Sequence, residues 1–421
     1  MRILLRRALA STLLLASGLC GTGVQAQSSP EAMRAAIEDL ARLTNPPASQ
    51  IAPGSSPADN PRAIFFDGPR WRGKPTKVFA WLGMPGHPAG KVPGIVLVHG
   101  GGGTAFKDWV SLWNARGYAA ISIAVEGQTD EKVPVVSKGP RSNGTSWKRH
   151  EFAGPARSGI YGDSAAPIAD QWIYHAVADT ILADSLLRSL PEVDPSKVGL
   201  MGISWGGVIA STAIGLDGRF AFAIPAYGCG GLHRASNGYG LALGTNACYQ
   251  QAWDPNLRLD RARMPVLWLS WPGDGHFPMD ALSISRQKVS GPSAVSLVPG
   301  MSHGHNSAWK RPESYAFADS VLKEGGPWCL CTGTHLQGGI LLADFNAKQR
   351  PDKSVLVSTS GTGFTGSRVW VQTPATLKEG KGGWTASATI PPGTTACFLN
   401  VMRGDLVSSS GYLEMEPPSV R

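Results

Sequence analysis

A serine set between glycines follows an apolar segment and has the surroundings of a nucleophile. Val198–Ile203 is typical of a buried strand, and Ser204 comes directly after it, within the pattern Gly202-Ile-Ser-Trp-Gly206. A nucleophilic serine needs a sharp turn between a strand and a helix so that its Oγ is exposed, and flanking glycines leave room for that turn. Trp205–Ile214 favours the required helix. The pattern therefore predicts acyl transfer with Ser204 as the attacking group.

The base and the acid that such a serine needs follow two later apolar segments. Asp274 comes shortly after Val266–Leu269, and His303 comes shortly after Val295–Val298. A serine hydroxyl is a weak nucleophile without a base, and the base needs an acid to orient it. The chain order of serine, acid and histidine is the one that accompanies this type of nucleophile turn. We therefore predict a triad that joins Asp274 and His303 to Ser204.

Neighbouring residues leave alternatives open for both partners. Asp280 could be the acid or could cap a helix, and His305 could be the base in place of His303. His276 lies two residues from Asp274 and could simply bond locally. A His-x-His metal pair lacks further carboxylate or cysteine ligands here, so we expect neither a metal nor a cofactor.

A glycine run offers main-chain donors for the oxyanion of a tetrahedral intermediate. It reads His99-Gly-Gly-Gly-Gly-Thr104 and follows a short apolar segment. Glycines allow the chain to bend tightly against the substrate oxygen, and backbone N–H groups can then stabilise its charge. We expect the N–H groups of Gly101, Gly102 and Trp205 to form this oxyanion hole. His99 itself is expected to support the loop through hydrogen bonds.

Three aromatic residues are candidate substrate contacts. Trp271 and Trp309 flank the predicted acid and base, where a ring could stack on a sugar or an aryl ester, although burial in the core is the commoner fate of such rings. Tyr227 begins a glycine- and aromatic-rich segment that could form a wall of the substrate pocket or a structural loop. The polar segment 132–161 could be a lid or a passive surface loop.

Alternating strands and helices predict the architecture that would bring these residues together. Continuous apolar strands separated by helical segments are typical of a mostly parallel sheet with helices on both faces. Side chains gather at the carboxyl ends of parallel strands, where the predicted triad falls. We therefore predict an α/β catalytic domain over residues 63–327, preceded by an N-terminal extension at residues 27–62.

The pattern changes after this domain. Short strands follow one another with turn signals between them, such as Pro391-Pro-Gly393, and no convincing helix interrupts them. This rhythm predicts a small all-β sandwich as an accessory domain over residues 328–421.

The first 26 residues have the features of an export signal. Three arginines accompany the apolar stretch Ala8–Leu19, and Val24-Gln-Ala26 is a cleavage motif. The apolar stretch is too short to serve as a membrane span of ~20 residues. We expect a mature chain that begins at Gln27, is exported to the periplasm or beyond, and has no stable membrane insertion.

The composition excludes several other classes of protein. Of the 421 residues, 42% are hydrophobic and 16% are charged, a balance that favours a folded chain over a disordered one. The formal net charge of +9 is scattered, without the basic stripe that nucleic-acid binding requires, so we expect no nucleic-acid partner. The sequence leaves the oligomeric state open.

Five cysteines remain beyond the predicted signal, and export permits disulfides. Cys229 and Cys248 bracket a glycine-rich loop and are expected to pair. Cys397 could pair with either Cys329 or Cys331, which would leave one thiol over.

The segment from Gly94 to about Gly326 resembles the α/β-hydrolase superfamily. The motifs that carry the resemblance are HGGGGT at 99–104, GISWGG at 202–207, WPGD at 271–274 and SHGH at 302–305. Within the superfamily they look like those of secreted bacterial esterases of the acetylxylan esterase and dienelactone-hydrolase-like branch. The resemblance implies a serine esterase with Ser204, Asp274 and His303 as its triad.

We therefore predict a secreted serine esterase that cleaves small-molecule or polysaccharide esters through an acyl-enzyme, with acetyl esters of polysaccharide as the leading substrate. A prolyl-oligopeptidase-like peptidase or amidase is the alternative. Such peptidases usually carry a propeller before the hydrolase domain, and only about 65 mature residues precede Gly94, too few for its blades. Dienelactone hydrolases proper use a cysteine nucleophile. A non-catalytic envelope-binding protein with this fold is the alternative from a different class.

Overall fold

The computed structural model describes residues 29–86, 89–134, 144–380 and 382–415. The predicted export signal lies outside the described residues. The strands are β1 Ser49–Ile51, β2 Arg62–Trp71, β3 Lys74–Gly83, β4 Val92–Val98, β5 Ala119–Ile123, β6 Gln128–Pro134, β7 Thr145–Arg149, β8 Val193–Ile203, β9 Ala223–Ala226, β10 Val266–Ser270, β11 Ser293–Leu297, β12 Cys329–Gln337, β13 Ile340–Ala347, β14 Lys353–Thr359, β15 Val371–Gly380, β16 Gly383–Thr389, β17 Ala396–Arg403, β18 Leu406–Ser409 and β19 Leu413–Glu414. The helices are α1 Pro30–Glu38, α2 Lys107–Asn114, α3 Trp172–Ser189, α4 Trp205–Ala213, α5 Gly238–Leu243, α6 Met279–Lys288, α7 His305–Trp309 and α8 Pro312–Glu324.

A nine-stranded sheet forms the centre of the molecule, in the order β1-β2-β3-β5-β4-β8-β9-β10-β11. The pairs from β5 through β4, β8, β9 and β10 to β11 are all parallel. The pairs from β1 through β2 and β3 to β5 are antiparallel. The prediction of a mostly parallel α/β-hydrolase sheet is confirmed. The antiparallel end begins with β1, within the segment predicted to be an N-terminal extension.

Apolar side chains explain why this sheet is buried. Every residue of β5 and β10 is buried, as expected for strands covered on both faces, and their sequences are apolar almost throughout. Helix α3 is buried over most of its surface and packs against β4, β8 and α4. The carboxyl ends of β8, β10 and β11 consequently meet at one edge of the sheet, where the loops carrying the predicted triad begin.

The C-terminal part forms a second, antiparallel sheet of eight strands, in the order β12-β13-β16-β15-β14-β17-β18 with β19 beside β17. The strands enclose their own apolar core, which includes Leu341, Phe345, Leu356 and Leu399. Val357, on β14, instead faces the apolar core of the central sheet. We call this C-terminal part the sandwich, and it packs against the central sheet through shared buried side chains.

A two-stranded hairpin, β6–β7, interrupts the alternation after β5. Strand β7 and the end of β6 fall in the polar segment 132–161, which was predicted to be a lid or a passive loop. The strands of the hairpin are mostly exposed, and the hairpin lies close to the glycine run after β4, as the site geometry below describes.

The cysteines differ from the predicted pairing. All five within the described residues are unpaired thiols, so neither predicted disulfide is present. The Sγ of Cys248 contacts the side-chain amide of Gln171 at 3.6 Å, and the Sγ of Cys331 contacts the Gly333 carbonyl at 3.3 Å. Cys329 and Cys397 are buried in the sandwich core, where a thiol packs as a small apolar group. Within the described ranges, no helix is both long and apolar enough to cross a membrane.

Candidate active site

Ser204 stands on a strained turn between β8 and α4. Its φ of 57° lies in the left-handed region that non-glycine residues rarely adopt. A methyl group built on Gly202 would overlap the Gly206 carbonyl oxygen, and one built on Gly206 would overlap that of Val98. Both glycines are thus needed for the close backbone approach that holds the serine in this conformation.

Ser204, His303 and Asp274 form one continuous line of hydrogen bonds. The Oγ of Ser204 lies 3.0 Å from Nε2 of His303, and Nδ1 of His303 lies 2.8 Å from Oδ2 of Asp274. A proton on Nδ1 that is donated to the carboxylate leaves Nε2 free to accept the serine proton. This arrangement can activate a hydroxyl for attack on a carbonyl carbon.

The carboxylate of Asp274 is fixed on its other side by main-chain donors. Its Oδ1 accepts the N–H groups of His276 and Phe277 at 2.8 and 2.9 Å, and the residue is only 1% exposed. Asp280, the alternative acid, lies in the first turn of α6 and accepts the N–H of Ala281. The geometry therefore favours Asp274 as the acid.

The imidazole of His303 lies within a group of rings. Phe277 is stacked on it with 6.0 Å between ring centres, and Tyr227 packs against it at 4.5 Å. Tyr227 is fully buried, and its hydroxyl donates to the carbonyls of Ser302 and Gly304 at 3.1 and 3.3 Å. Tyr227 was predicted to begin either a wall of the substrate pocket or a structural loop. Its burial and its hydrogen bonds to the loop that carries His303 favour the structural role.

His305 lies two residues further on and faces a different partner. Its Nε2 accepts the backbone N–H of Gly100 at 2.9 Å. Burial, together with the nearby His303, lowers the pKa of His305 to about 4, so the ring is neutral at pH 7 and able to accept. The alternative of His305 as the base is thus disfavoured by geometry, because its Nε2 is already bonded.

The glycine run, which we call the oxyanion loop, spans residues 99–104. The N–H groups of Gly101 and Gly102 and that of Trp205 donate to no other group in the part of the chain that the structure describes. A methyl group built on Gly100 would come within 2.9 Å of the Cβ of Ser204, so the loop runs directly beside the serine. These free donors next to Ser204 are what an oxyanion hole requires.

His99 supports this loop, as its sequence position predicted. Its Nε2 accepts the N–H of Val125 at 3.1 Å, so the proton lies on Nδ1, which donates to the Gly100 carbonyl at 2.7 Å. Complete burial lowers the pKa of His99 to about 3, which keeps the ring neutral. The Gly103 carbonyl is held separately by Nε2 of Gln128 at 3.0 Å.

A tryptophan from the hairpin also holds the loop. Nε1 of Trp147, on β7, donates to the Gly102 carbonyl at 2.8 Å. Sequence reasoning missed Trp147 and Gln128, since nothing in their local sequence relates either of them to the glycine run. For Trp147 the available signal was the prediction of residues 132–161 as a candidate lid, whereas Gln128 lies before that segment.

A charged pair borders the same space. The guanidinium of Arg157 lies 5.1 Å from the ring centre of Trp205, and its Nε lies 3.4 Å from the Glu126 carboxylate. Burial raises the pKa of Glu126, and Arg157 partly offsets this effect. Arg157 also comes within 3.1 Å of a methyl group built on Gly101. Arg157 is a third neighbour of the oxyanion loop that the sequence did not reveal.

The two tryptophans proposed as substrate contacts lie in different surroundings. Trp309 is only 8% exposed, and its ring packs against Phe106 and Trp109 with centres 5.0 and 5.7 Å away. It therefore belongs to the core behind His305 rather than to a substrate surface. Trp271 is half-buried, with its ring against Gly273 in the loop that carries Asp274.

Comparison with known families gives one match. Residues 64–229 match the acetyl xylan esterase (AXE1) family model. This segment contains the oxyanion loop and Ser204 but ends before Asp274 and His303. No curated protein matches the chain.

Several solved structures resemble the chain. The acetyl xylan esterase from Paenibacillus sp. R4 has 21% identity and a TM-score of 0.49, over 66% of this chain and 89% of that one. Acetyl xylan esterase 1 from Thermoanaerobacterium sp. JW/SL YS485 has 16% identity and a TM-score of 0.47, over 66% of this chain and 90% of that one. A Mycobacterium tuberculosis puromycin-hydrolyzing peptidase has 21% identity and a TM-score of 0.45, over 63% of this chain and 41% of that one.

The family match confirms the resemblance that the sequence motifs indicated and the prediction of a carboxylic ester hydrolase.

Proposed function

We propose that the protein is an exported serine esterase in which Ser204, His303 and Asp274 are the catalytic residues and an acyl-enzyme is the intermediate. The observation that carries the proposal is the line of hydrogen bonds from Ser204 Oγ through His303 to Asp274, at 3.0 and 2.8 Å. The acetyl xylan esterase match supports the same chemistry.

In this mechanism, Ser204 attacks the ester carbonyl while Nε2 of His303 takes its proton. Asp274 holds the imidazole in the required tautomer and stabilises its positive charge. The N–H groups of Gly101, Gly102 and Trp205 stabilise the oxyanion of the tetrahedral intermediate. His303 then protonates the leaving alcohol, and a water attacks the acyl-enzyme with His303 again acting as base.

We propose that the acyl group is small, with acetyl esters of polysaccharide as the preferred substrates. The supporting observation is the confined space beside the oxyanion loop. The Trp205 ring and the Arg157 guanidinium both lie 3.1 Å from a methyl group built on Gly101. These two side chains narrow the space on that side of Gly101, and we propose that they limit the length of the acyl group.

The direct test compares esters with amides on the purified mature protein. We expect hydrolysis of p-nitrophenyl acetate and of acetylated xylo-oligosaccharides, with rates that fall from acetyl to butyryl to hexanoyl esters. Ser204→Ala should lower kcat/KM by about 10⁴-fold or more. A fluorophosphonate should label the wild-type protein at residue 204 and leave the variant unlabelled.

Two outcomes would replace the proposal. Faster cleavage of a chromogenic dipeptide amide than of the ester would make the protein a peptidase or amidase. Absence of both turnover and fluorophosphonate labelling in folded protein would favour a non-catalytic binding protein.

Export is tested separately. The periplasmic or secreted form should have Gln27 as its first residue by N-terminal sequencing, and a full-length cytoplasmic product would contradict the proposed export.

A further inference from the structure

A turn of the C-terminal sandwich lies against the loop that carries Asp274. The turn spans Thr365–Ser367, between β14 and β15. We call residues 271–279, which connect β10 to α6 and include the first residue of that helix, the acid loop. Thr365 is buried although it belongs to a connecting segment of the accessory domain. Met279 and Thr365, which are hydrogen-bonded where the two segments meet, are 86 residues apart in sequence. The sandwich therefore reaches the active-site region by tertiary packing alone.

Thr365 supplies the acceptor that the start of α6 lacks. The first N–H groups of a helix have no partner within the helix, and Pro278, at the cap position of α6, offers no side-chain acceptor. Oγ1 of Thr365 accepts the N–H of Met279 at 3.0 Å in a buried environment. The sandwich therefore caps the helix in which the acid loop ends.

Gly366 makes the second contact. A methyl group built on Gly366 would overlap the carbonyl oxygen of Asp274 itself and would come within 2.6 Å of the Phe364 ring. The backbones of the turn and of the acid loop are thus in direct contact. A carbonyl oxygen cannot rotate away as a side chain can, so any added volume here must move Asp274 or the turn.

The turn is anchored to its own domain. Nε1 of Trp370 donates to the Thr365 carbonyl at 3.1 Å, and the Trp370 ring packs against Phe398 on β17 with centres 5.9 Å apart. The Ser367 N–H closes the turn on the Phe364 carbonyl at 3.1 Å. A turn held in this way can transmit the position of the sandwich to the acid loop.

The sandwich also holds the strand that leads to His303. Leu297, the last residue of β11, donates its N–H to Oγ of Ser409 at 2.8 Å and accepts from Nδ2 of Asn400 at 3.0 Å. Oγ of Ser296 donates to the Val407 carbonyl at 2.6 Å. These buried contacts fix the strand six residues before His303.

We propose that the C-terminal sandwich is a positioning part of the catalytic unit, in which Thr365 and Gly366 hold the acid loop so that Asp274 meets His303. The inference rests on the proposed triad. Thr365 and Gly366 touch neither substrate nor the reacting atoms and are positioning residues. They act on the rate through the geometry of the Asp274–His303 pair, since small misplacements of a catalytic group are costly.

The test uses two matched sets of full-length variants. Thr365→Val removes the acceptor at nearly constant shape, Thr365→Ser retains it, and Thr362→Val makes the same exchange at an exposed site in the same segment. Gly366→Ala adds the overlapping methyl group. Gly380→Ala is its control, because the nearest atom to a methyl group there is 3.9 Å away.

Each variant is assayed with p-nitrophenyl acetate after active-site titration, which counts competent enzyme from the burst of nitrophenol. We expect Thr365→Val and Gly366→Ala to lower kcat per titrated site by about 10- to 100-fold with little change in KM. Thr365→Ser, Thr362→Val and Gly380→Ala should keep wild-type kcat. Far-UV circular dichroism checks that the variants are folded.

The outcomes separate positioning from stability. If Thr365→Val and Gly366→Ala lose only titratable sites while kcat per site is unchanged, the turn stabilises the fold and the proposal is overturned. Equal kcat per site for Thr365→Val and Thr365→Ser would also overturn it. If the wild-type protein shows neither burst nor turnover, the proposed esterase function fails first, and that result is distinguishable from the others.

Discussion

Nε2 of His305 accepts the backbone N–H of Gly100 at 2.9 Å, across 205 residues of sequence. His303, two positions earlier, points its own Nε2 at Ser204. One short segment after β11 thus carries both the proposed base and the side chain that holds the oxyanion loop beside it. The proton acceptor and the oxyanion donors are therefore fixed relative to each other by a single backbone segment.

Removal of the His305 ring should loosen the oxyanion loop without removing the base. We expect His305→Ala to lower kcat by about 10-fold. This is less than the ~10²–10³-fold loss typical of a deleted oxyanion donor, because the N–H groups of Gly101 and Gly102 remain. His305→Gln keeps an acceptor and should recover part of the rate. His335→Ala changes an exposed histidine on β12 and is the control. Steady-state kinetics on p-nitrophenyl acetate measures the effect, and a wild-type kcat for His305→Ala would contradict it.

Substitution of each candidate acid, Asp274 or Asp280, should show which of the two orients the catalytic histidine. Asp274→Asn keeps the shape but removes the charge that stabilises the protonated imidazole, so we expect kcat to fall by about 10³- to 10⁴-fold. Asp280→Asn alters only a residue at the start of α6 and should change kcat less than about 2-fold. The ratio of the two effects in one assay decides the assignment. A larger loss for Asp280→Asn would move the acid to that position.

Two buried neutral histidines predict a loss of stability in mild acid. Burial lowers the pKa of His99 to about 3 and that of His305 to about 4, from 6.5 in the unfolded chain. Below pH 6.5 these two histidines become protonated in the unfolded state but remain neutral in the folded state. The free energy of unfolding therefore falls as the pH falls. By pH 5 each histidine should account for a loss of about 2 kcal/mol, and the loss continues towards pH 3 to 4.

Urea unfolding between pH 8 and pH 5 measures this dependence. His305→Gln should show a shallower slope than the wild-type protein, because it removes one of the histidines whose pKa is lowered in the folded state. Identical slopes for the two proteins would show that His305 is protonated equally well in the folded state.

The glycines around Ser204 should tolerate no side chain. A methyl group on Gly206 would overlap the Val98 carbonyl oxygen, and backbone atoms on both sides have no room to move. We expect Gly206→Ala to destabilise the fold by about 3 kcal/mol and to abolish activity. Gly218→Ala, where a methyl group meets nothing within 4 Å, should leave both unchanged. Chemical denaturation compares the two variants, and a stable, active Gly206→Ala would refute the strained turn.

The sequence was sufficient to predict the fold class. It also predicted that Ser204, Asp274 and His303 would lie together, as they do in the structure. Apolar strands followed by turns locate Ser204, Asp274 and His303, because the carboxyl ends of parallel strands converge whatever the loops contain. The choice between His303 and His305 could not be made from sequence, since both follow the same strand. In the structure they have different partners, since His303 faces Ser204 and His305 faces Gly100.

Other predictions depended on packing that sequence does not display. Trp309 follows His303 closely in sequence and Tyr227 follows strand β9, but the structure buries both rings in the core. Trp147 and Arg157 reach the oxyanion loop from a polar segment without an apolar period. The antiparallel strand β2 was missed as well, since its alternation is broken by Asp67, Gly68 and Pro69.

The contacts of Leu297 with Asn400 and Ser409 have a consequence for solubility. Strand β11 is the last strand of the central sheet, and its outward N–H and C=O groups would otherwise be available to pair with a strand of another molecule. At Leu297, the side chains of Ser409 and Asn400 bond the N–H and C=O groups with which a tenth strand would otherwise pair. Without the sandwich, the central sheet would present an open, apolar edge that is prone to aggregation.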